Sequence, residues 1–217
     1  MPAALPRVPA EVFRDLRGTA PTGELDDLIR AFVAAGEALE RDDLPRALQL
    51  LTWAKATAQR SAVIREALGV ALYLAGDYAA ATSELQTYRR LSGRNDQNHL
   101  LADCARATGR RDKVREAVEG MDPARDGADR WVEGLIVLAA DLADAGDLEG
   151  ARGVLGRAGL DPERIEPWHP RLWYAAADLA QRAGDSVEAA ELFGAIVAVD
   201  EEFLDAAQRL AALEDGT

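Results

Sequence analysis

The chain has 217 residues, of which 48% are hydrophobic and 29% charged, with a formal net charge of −13 and one cysteine. That length can bury a sizeable core, the acidity argues against general binding to phosphate backbones, and a lone Cys104 excludes an intramolecular disulfide. No run approaches the roughly 18 apolar residues of a membrane span, and Pro2, Pro6 and Pro9 interrupt the place where a signal peptide carries its apolar core, so a cytoplasmic protein, monomeric or weakly dimeric, is expected.

The basic residues are 23 Arg and 2 Lys, Lys55 and Lys113, the skew of a GC-rich genome rather than a nucleic-acid signal. Alanine is abundant and β-branched runs are missing, so helices packed through small residues are expected throughout. Residues 1–9 carry three prolines and no periodicity, and are read as an extended arm. Residues 10–17 form a short helix with Val12, Phe13 and Leu16 on one side. It either docks as a lid on the first repeat or is offered to a partner. With a loop at 19–23 these make up a segment, 1–23, ahead of the main body.

From Glu24 onward, apolar runs of helical period are stopped by a two-residue turn and restarted. The clearest copy is LGVALYLAGDYAAATSEL at 68–85. Gly76 suits the left-handed residue that ends a helix, and Asp77 suits the cap that opens the next. Ala81 and Leu85 then face Leu68, Gly69 and Leu72 across a helical hairpin. Equivalent turns fall at Asp42-Asp43, Gly109-Arg110, Gly146-Asp147 and Gly184-Asp185, giving spacings of 34, 33, 37 and 38. Each turn is succeeded by a small or branched residue (Ala47, Ala81, Val114, Ala151, Ala189) and, four later, by Leu51, Leu85, Val118, Leu155 or Phe193. The longer spacings fit loop insertions at 121–127 and 161–170, between repeats. This pattern predicts five hairpins, at about 24–60, 61–94, 95–127, 128–168 and 169–200. A last helix at 201–213, with Phe203, Ala206, Ala207, Leu210 and Leu213 on one face, is read as the cap within a C-terminal segment, 201–217.

The spacing Leu68-Gly69-x-x-Leu72 with Ala81-x-x-x-Leu85, repeated at nearly one period, resembles the tetratricopeptide repeat (TPR) over roughly 24–200. The second and third repeats, from VIREALGVALYLAGDY to ADCARATGRRDKV, are also similar to small TPR-like proteins of high-GC bacteria. The resemblance implies an all-α, right-handed solenoid of about five hairpins and a capping helix. It departs from the family pattern at the fourth position, usually a large aromatic: Ala31, Arg65, Asn98 and Leu135 stand there, and only Trp173 keeps it. The family's glycine at the eighth position survives as Gly69 and is Ala35, Ala102, Ala139 and Ala177 elsewhere. Arg110 replaces a capping Asp, so a short or displaced helix is expected in the third repeat.

Little in the sequence carries catalysis, and neither a cofactor nor a metal is expected. His99, Asp103 and Cys104 share a predicted helix, but His99 and Cys104 are poorly spaced for one face, and a metal needs three or four converging ligands. Cys104 as a nucleophile lacks a base held by a third group, and is read as a buried thiol. His169 is read as the start of the fifth repeat, and Trp53, Trp131 and Trp173 as inter-repeat packing. No carboxylate pair and no glycine loop stands in a setting for acid–base or phosphate chemistry.

The resemblance implies a non-catalytic scaffold whose first helices line a concave face for a peptide or helix of another protein. The inward positions in that register are Phe32, Glu66, Val70, Tyr73, His99, Asp103, Arg106, Ile136, Ala140, Tyr174, Asp178 and Gln181. The lysine and asparagine that grip a terminal carboxylate in one subset of the family are absent from these positions. Net charge is −3 over 1–85, +5 over 86–115 and −15 over 116–217. The basic stretch holds Arg89, Arg90, Arg94, Arg106, Arg110, Arg111, Lys113 and Arg115. It suggests an acidic or amphipathic partner segment, with Arg106 as charge anchor and Tyr73 as apolar anchor. Two other classes are a regulatory nucleic-acid binder using this stretch, against which the missing aromatics and surrounding acidity count, and an enzyme with a non-local site.

Overall fold

The computed structural model describes residues 5–160 and 164–215. The arm over 1–4, the part of the expected insertion at 161–163 and the tail at 216–217 lie outside the described residues. Among those described there are thirteen helices and no strand, so the expected all-α fold is observed. No helix among them is long and apolar enough to cross a membrane. The chain divides into two compact units, Met1–Gly109 and Arg110–Thr217.

The first unit holds α1 (Ala10–Thr19), α2 (Leu25–Glu40), α3 (Leu44–Thr57), α4 (Ala62–Leu74), α5 (Tyr78–Ser92) and α6 (Asn98–Ala107). Helices α2 with α3, and α4 with α5, are the first two hairpins. Asp43 and Asp77 cap α3 and α5, their carboxylates accepting from the amides of Arg46 and Ala80 at 3.2 and 3.0 Å. The left-handed residue before each cap is Gly76 (φ 78°) in the second hairpin and Asp42 (φ 56°) in the first, where Asp bears a conformation glycine takes at less cost. Leu16 of α1 is fully buried with Leu28, Ile29, Ala54, Ala58 and Ile64. Asp15 accepts from the Ser61 hydroxyl and the Ala62 amide, the latter at 3.0 Å, so α1 is fastened to the start of α4 as a lid.

Close approach of α4 and α5 depends on Gly69. A Cβ there would lie 2.6 Å from Leu85 Cδ2 and 3.3 Å from the Leu85 amide nitrogen. Arg65, at the family's aromatic position, instead serves an ion triad: Glu84, with 8% of its side chain exposed, accepts from Arg65 at 2.6 Å and from Lys55 of α3 at 2.7 Å. Burial raises the Glu84 pKa, but the hydrogen bonds and charges of Lys55 and Arg65 outweigh it and leave the group below its ordinary value.

The second unit holds α7 (Arg111–Glu119), α8 (Pro123–Asp126), α9 (Ala128–Asp144), α10 (Leu148–Gly156), α11 (His169–Ala183), α12 (Ser186–Val199) and α13 (Ala206–Asp215). Helices α9 with α10, and α11 with α12, are hairpins, α7 and α8 pack on α9, and α13 packs on α12. Of the expected third repeat, α6 belongs to the first unit and α7 to the second. With Arg110 before it, α7 has no side-chain cap and runs nine residues. The insertion at 121–127 contains α8, opened by Asp122, which accepts from the Ala124 and Arg125 amides at 2.8 and 3.1 Å. The core beneath α13 is Trp173, Ala177, Ala180, Ala189, Phe193, Ile196 and Ala206. The last helix begins at Ala206 rather than at 201. Asp200 closes a turn by accepting from the Glu202 amide at 3.1 Å, and Leu204 has φ 48°, which a right-handed helix cannot include.

Candidate protein-binding faces

In the first unit, polar bonds between side chains tie α6 to α4. Tyr73 donates its hydroxyl to Asp103 Oδ2 at 2.6 Å, and the Arg106 guanidinium lies 3.7 Å from Asp103 Oδ1. Gln97, just before α6, donates to Glu66 Oε1 at 2.7 Å. Burial first, then the hydrogen bond and charge of Asp103, hold the Tyr73 phenol well above its ordinary pKa, so it stays protonated and donating. The expected inward residues Glu66, Tyr73, Asp103 and Arg106 are thus set among polar neighbours. Val70 and His99 are half-buried, and Phe32 packs against the core under α1. With Asp103 beside it, the charge of Arg106 is partly neutralised, and the Tyr73 hydroxyl is already engaged.

The basic stretch is distributed between the units. Arg89 and Arg90 lie in the last turn of α5, where cations offset the helix dipole. Arg94 pairs with Asp96 at 2.5 Å, and Asp96 also accepts from Tyr88 at 2.8 Å. In the second unit, Arg111 grips Asp141 through Nε at 3.0 Å and also bonds its carbonyl, while Lys113 pairs with Glu116 at 2.7 Å. Arg110 and Arg115 are exposed. Ion pairs with neighbouring acids therefore account for Arg94, Arg111 and Lys113.

In the second unit, two of the five expected inward residues line a cavity. Ile136 of α9 and Tyr174 of α11 meet Arg171, Ala175, Phe203 and Leu204 around a space of about 130 Å³. Leu204 is 70% exposed at its wall. Arg171 forms a two-pronged ion pair with Glu133, one prong at 2.7 Å, which answers the charge on the rim. The other inward residues of α11 are already held from α13. Arg209 donates to Gln181 and Asp178, each at 3.0 Å, and to the Tyr174 hydroxyl at 3.2 Å. Its guanidinium also stacks over the rings of Tyr174 at 5.3 Å and Phe193 at 4.7 Å. Tyr174 donates in turn to Asp205 at 2.6 Å, and that bond, more than burial, raises its pKa.

Repeat register singles out Ile136 and Tyr174; it does not mark Arg171, Ala175, Leu204 or Arg209 as their neighbours, and the sequence pattern puts Phe203 on the capping face. The apolar pair Phe203-Leu204 inside the acidic run 200–205 was the available signal; nothing local marks Arg209. Cys104 is fully buried, as expected. His169 opens α11, with Nδ1 accepting from the Glu166 amide at 2.7 Å and its ring against Trp168 and Trp173. Trp173 donates to the Leu160 carbonyl at 2.8 Å, and Trp131 lies under Arg157 at 5.8 Å. Trp53, expected to pack, is instead 42% exposed, because the faces of α3 that carry Ala47, Leu51 and Ala54 take the interior. Among the described residues no group of three or more His, Cys, Asp or Glu is placed to hold a metal ion.

Two units of stacked helical hairpins with aspartate-capped turns define a helical-repeat fold. Comparison with solved structures specifies it: the chain has the fold of the tetratricopeptide-repeat proteins. It is similar to YrrB, described as a TPR protein with an unusual peptide-binding site, at 16% identity over 82% of this chain and 89% of that one, with a TM-score of 0.52. The TPR domain of P58(IPK) aligns at 17% identity over 88% of this chain and 56% of its own, with a TM-score of 0.42. No protein-family model and no curated protein matches the sequence.

Proposed function

We propose that this chain is a non-catalytic scaffold that binds a peptide or helix of another protein on the faces made by its first helices. The observation that carries this reading is an apolar cavity in the second unit, where Ile136, Tyr174, Ala175, Phe203 and Leu204 surround a space open to a side chain from outside. A largely exposed leucine beside an aromatic floor is the kind of buried-anchor site that dominates protein recognition. The peptide-binding site attributed to YrrB, a protein of the same fold, supports the same class of function. The partner-facing residues under this proposal are Ile136, Ala140, Tyr174, Asp178 and Gln181 in the second unit. In the first they are Phe32, Glu66, Val70, Tyr73, His99, Asp103 and Arg106.

Site-specific photo-crosslinking in the native host tests the proposal. A benzophenone amino acid replaces Leu204 in one variant and Val187, 72% exposed on α12, in another. A discrete protein adduct from position 204 and not from 187 is expected. Adducts of equal yield and pattern from both positions, or none from 204, would refute it.

A further inference from the structure

We infer that the cavity lined by Ile136, Tyr174 and Leu204 takes an aliphatic side chain from a cationic protein segment, one in which arginine or lysine flanks the apolar anchor. The inference rests on the scaffold reading and names the chemistry of its partner. At about 130 Å³ the space compares with apolar cavities of about 150 Å³ that admit a benzene-sized group, and so suits one leucine, isoleucine or methionine side chain. Leu204 forms part of its wall in a left-handed conformation that branched residues avoid, yet leaves 70% of its surface in water. An incoming side chain would cover that surface.

Charge selects the occupant. Phe203 and Leu204 are framed by Asp200, Glu201, Glu202 and Asp205, all exposed. Residues 110–217 carry 24 acidic against 12 basic side chains, whereas residues 1–109 are nearly balanced at 14 against 13. The rim cation Arg171 is answered by Glu133. An acidic segment would therefore bring its carboxylates against exposed carboxylates, while a basic one meets a complementary field. The same face already receives a guanidinium: Arg209 bonds Asp178, Gln181 and Tyr174 and stacks on the Tyr174 ring. This reverses, for the second unit, the acidic partner that the sequence suggests around Arg106.

The test uses the full chain and degenerate dodecapeptide pools labelled with fluorescein. A central position is fixed as Leu or Ala, and two flanking positions on each side are fixed as Arg, Gln or Glu. Binding is read by polarisation at low and high salt. The Leu–Arg pool is expected to bind at least about fivefold more tightly than the Leu–Gln pool, with the advantage shrinking as salt rises, and the Leu–Glu pool weakest. Leu204→Asn keeps a residue that tolerates the left-handed conformation. It should retain the helical circular-dichroism spectrum while bringing Leu–Arg binding down to the Ala–Arg level. Glu201→Gln with Glu202→Gln should reduce the preference for arginine and leave the preference for leucine.

Equal binding of the Leu–Arg and Leu–Glu pools, or stronger binding of the latter, overturns the cationic partner. If Leu204→Asn still weakens that binding, the scaffold reading stands. Equal binding of the Leu–Arg and Ala–Arg pools, unmoved by Leu204→Asn, is nonspecific attraction of a polycation and overturns the anchor. Failure of every pool to bind overturns both this inference and the scaffold reading at this face.

Discussion

Replacing Gly69 with alanine tests whether helix packing or helix propensity governs the hairpin on which the repeat pattern is clearest. Propensity alone favours the change: removing a glycine from the middle of α4 gains about 0.8–1 kcal/mol. The structure opposes it. The new Cβ would stand 2.6 Å from Leu85 Cδ2 and 2.7 Å from its Cγ, about an ångström inside van der Waals contact. Leu85 is fully buried, and the third neighbour is its own amide nitrogen at 3.3 Å, so a rotamer change does not relieve the overlap. Overpacking of this kind costs roughly 1–3 kcal/mol, which offsets the propensity gain and leaves a net loss of up to about 2 kcal/mol. Gly36 in α2 is the control, because a Cβ there meets nothing within 4 Å, and Gly36→Ala should stabilise by about 0.5–1 kcal/mol. Urea unfolding monitored by circular dichroism measures both. Adding Leu85→Ala to Gly69→Ala should then recover about 1 kcal/mol relative to the sum of the single changes. If Gly69→Ala stabilises as much as Gly36→Ala, α4 and α5 are not in the contact described, and the account of the hairpin fails.

Glu84→Gln should cost about 1–3 kcal/mol at neutral pH by leaving Lys55 and Arg65 without their shared carboxylate. Because the Glu84 pKa is lowered in the folded state, the stability it confers is present above its ordinary value of 4.5 and lost as pH falls through the lower folded value. The gap between wild type and variant in urea titrations should therefore close in acid; a gap that widens there would contradict the triad. Removal of residues 200–217 strips the cover from Phe193 and Ile196, each worth about 1.5–3 kcal/mol of burial. Aggregation or dimerisation is expected in light scattering, and a monomer with unchanged melting would show α13 to be an appendage. Arg209→Ala should destabilise by about 1–3 kcal/mol and speed amide exchange along α13, since it deletes bonds to Asp178, Gln181 and Tyr174 together. Exchange that is unaffected would mean that α13 is held by its apolar face alone.

The parts of the fold visible in the sequence are those set by local chemistry. An Asp after a left-handed residue caps a helix whatever lies around it, which is why the turns at 42–43, 76–77, 146–147 and 184–185 could be placed from residue types alone. The departures arise where tertiary contacts decide. Leu204 does not look like a residue with positive φ, and it delays the last helix to Ala206. The fastening of α1 by Asp15 to Ser61 joins residues 46 apart. Ile136 and Tyr174 were placed by repeat register, whereas the cavity they line also needs the segment before α13, which no periodicity connects to them. Likewise the +5 stretch suggested one surface, but its charges are answered one by one: Asp96 is two residues from Arg94, whereas Asp141 reaches Arg111 only through packing.

The central claim, that a partner seats on the first-helix face of the second unit, is tested most directly by amide chemical-shift mapping of the isotope-labelled full chain with the leucine–arginine peptide pool. Shifts should concentrate at Ile136 and its neighbours in α9, at Arg171, Tyr174 and Ala175 in α11, and at Phe203 and Leu204, all lining or adjoining the cavity. Shifts confined to the outer face of α12 around Val187, or to α4 and α6, with the cavity amides unmoved, would contradict it.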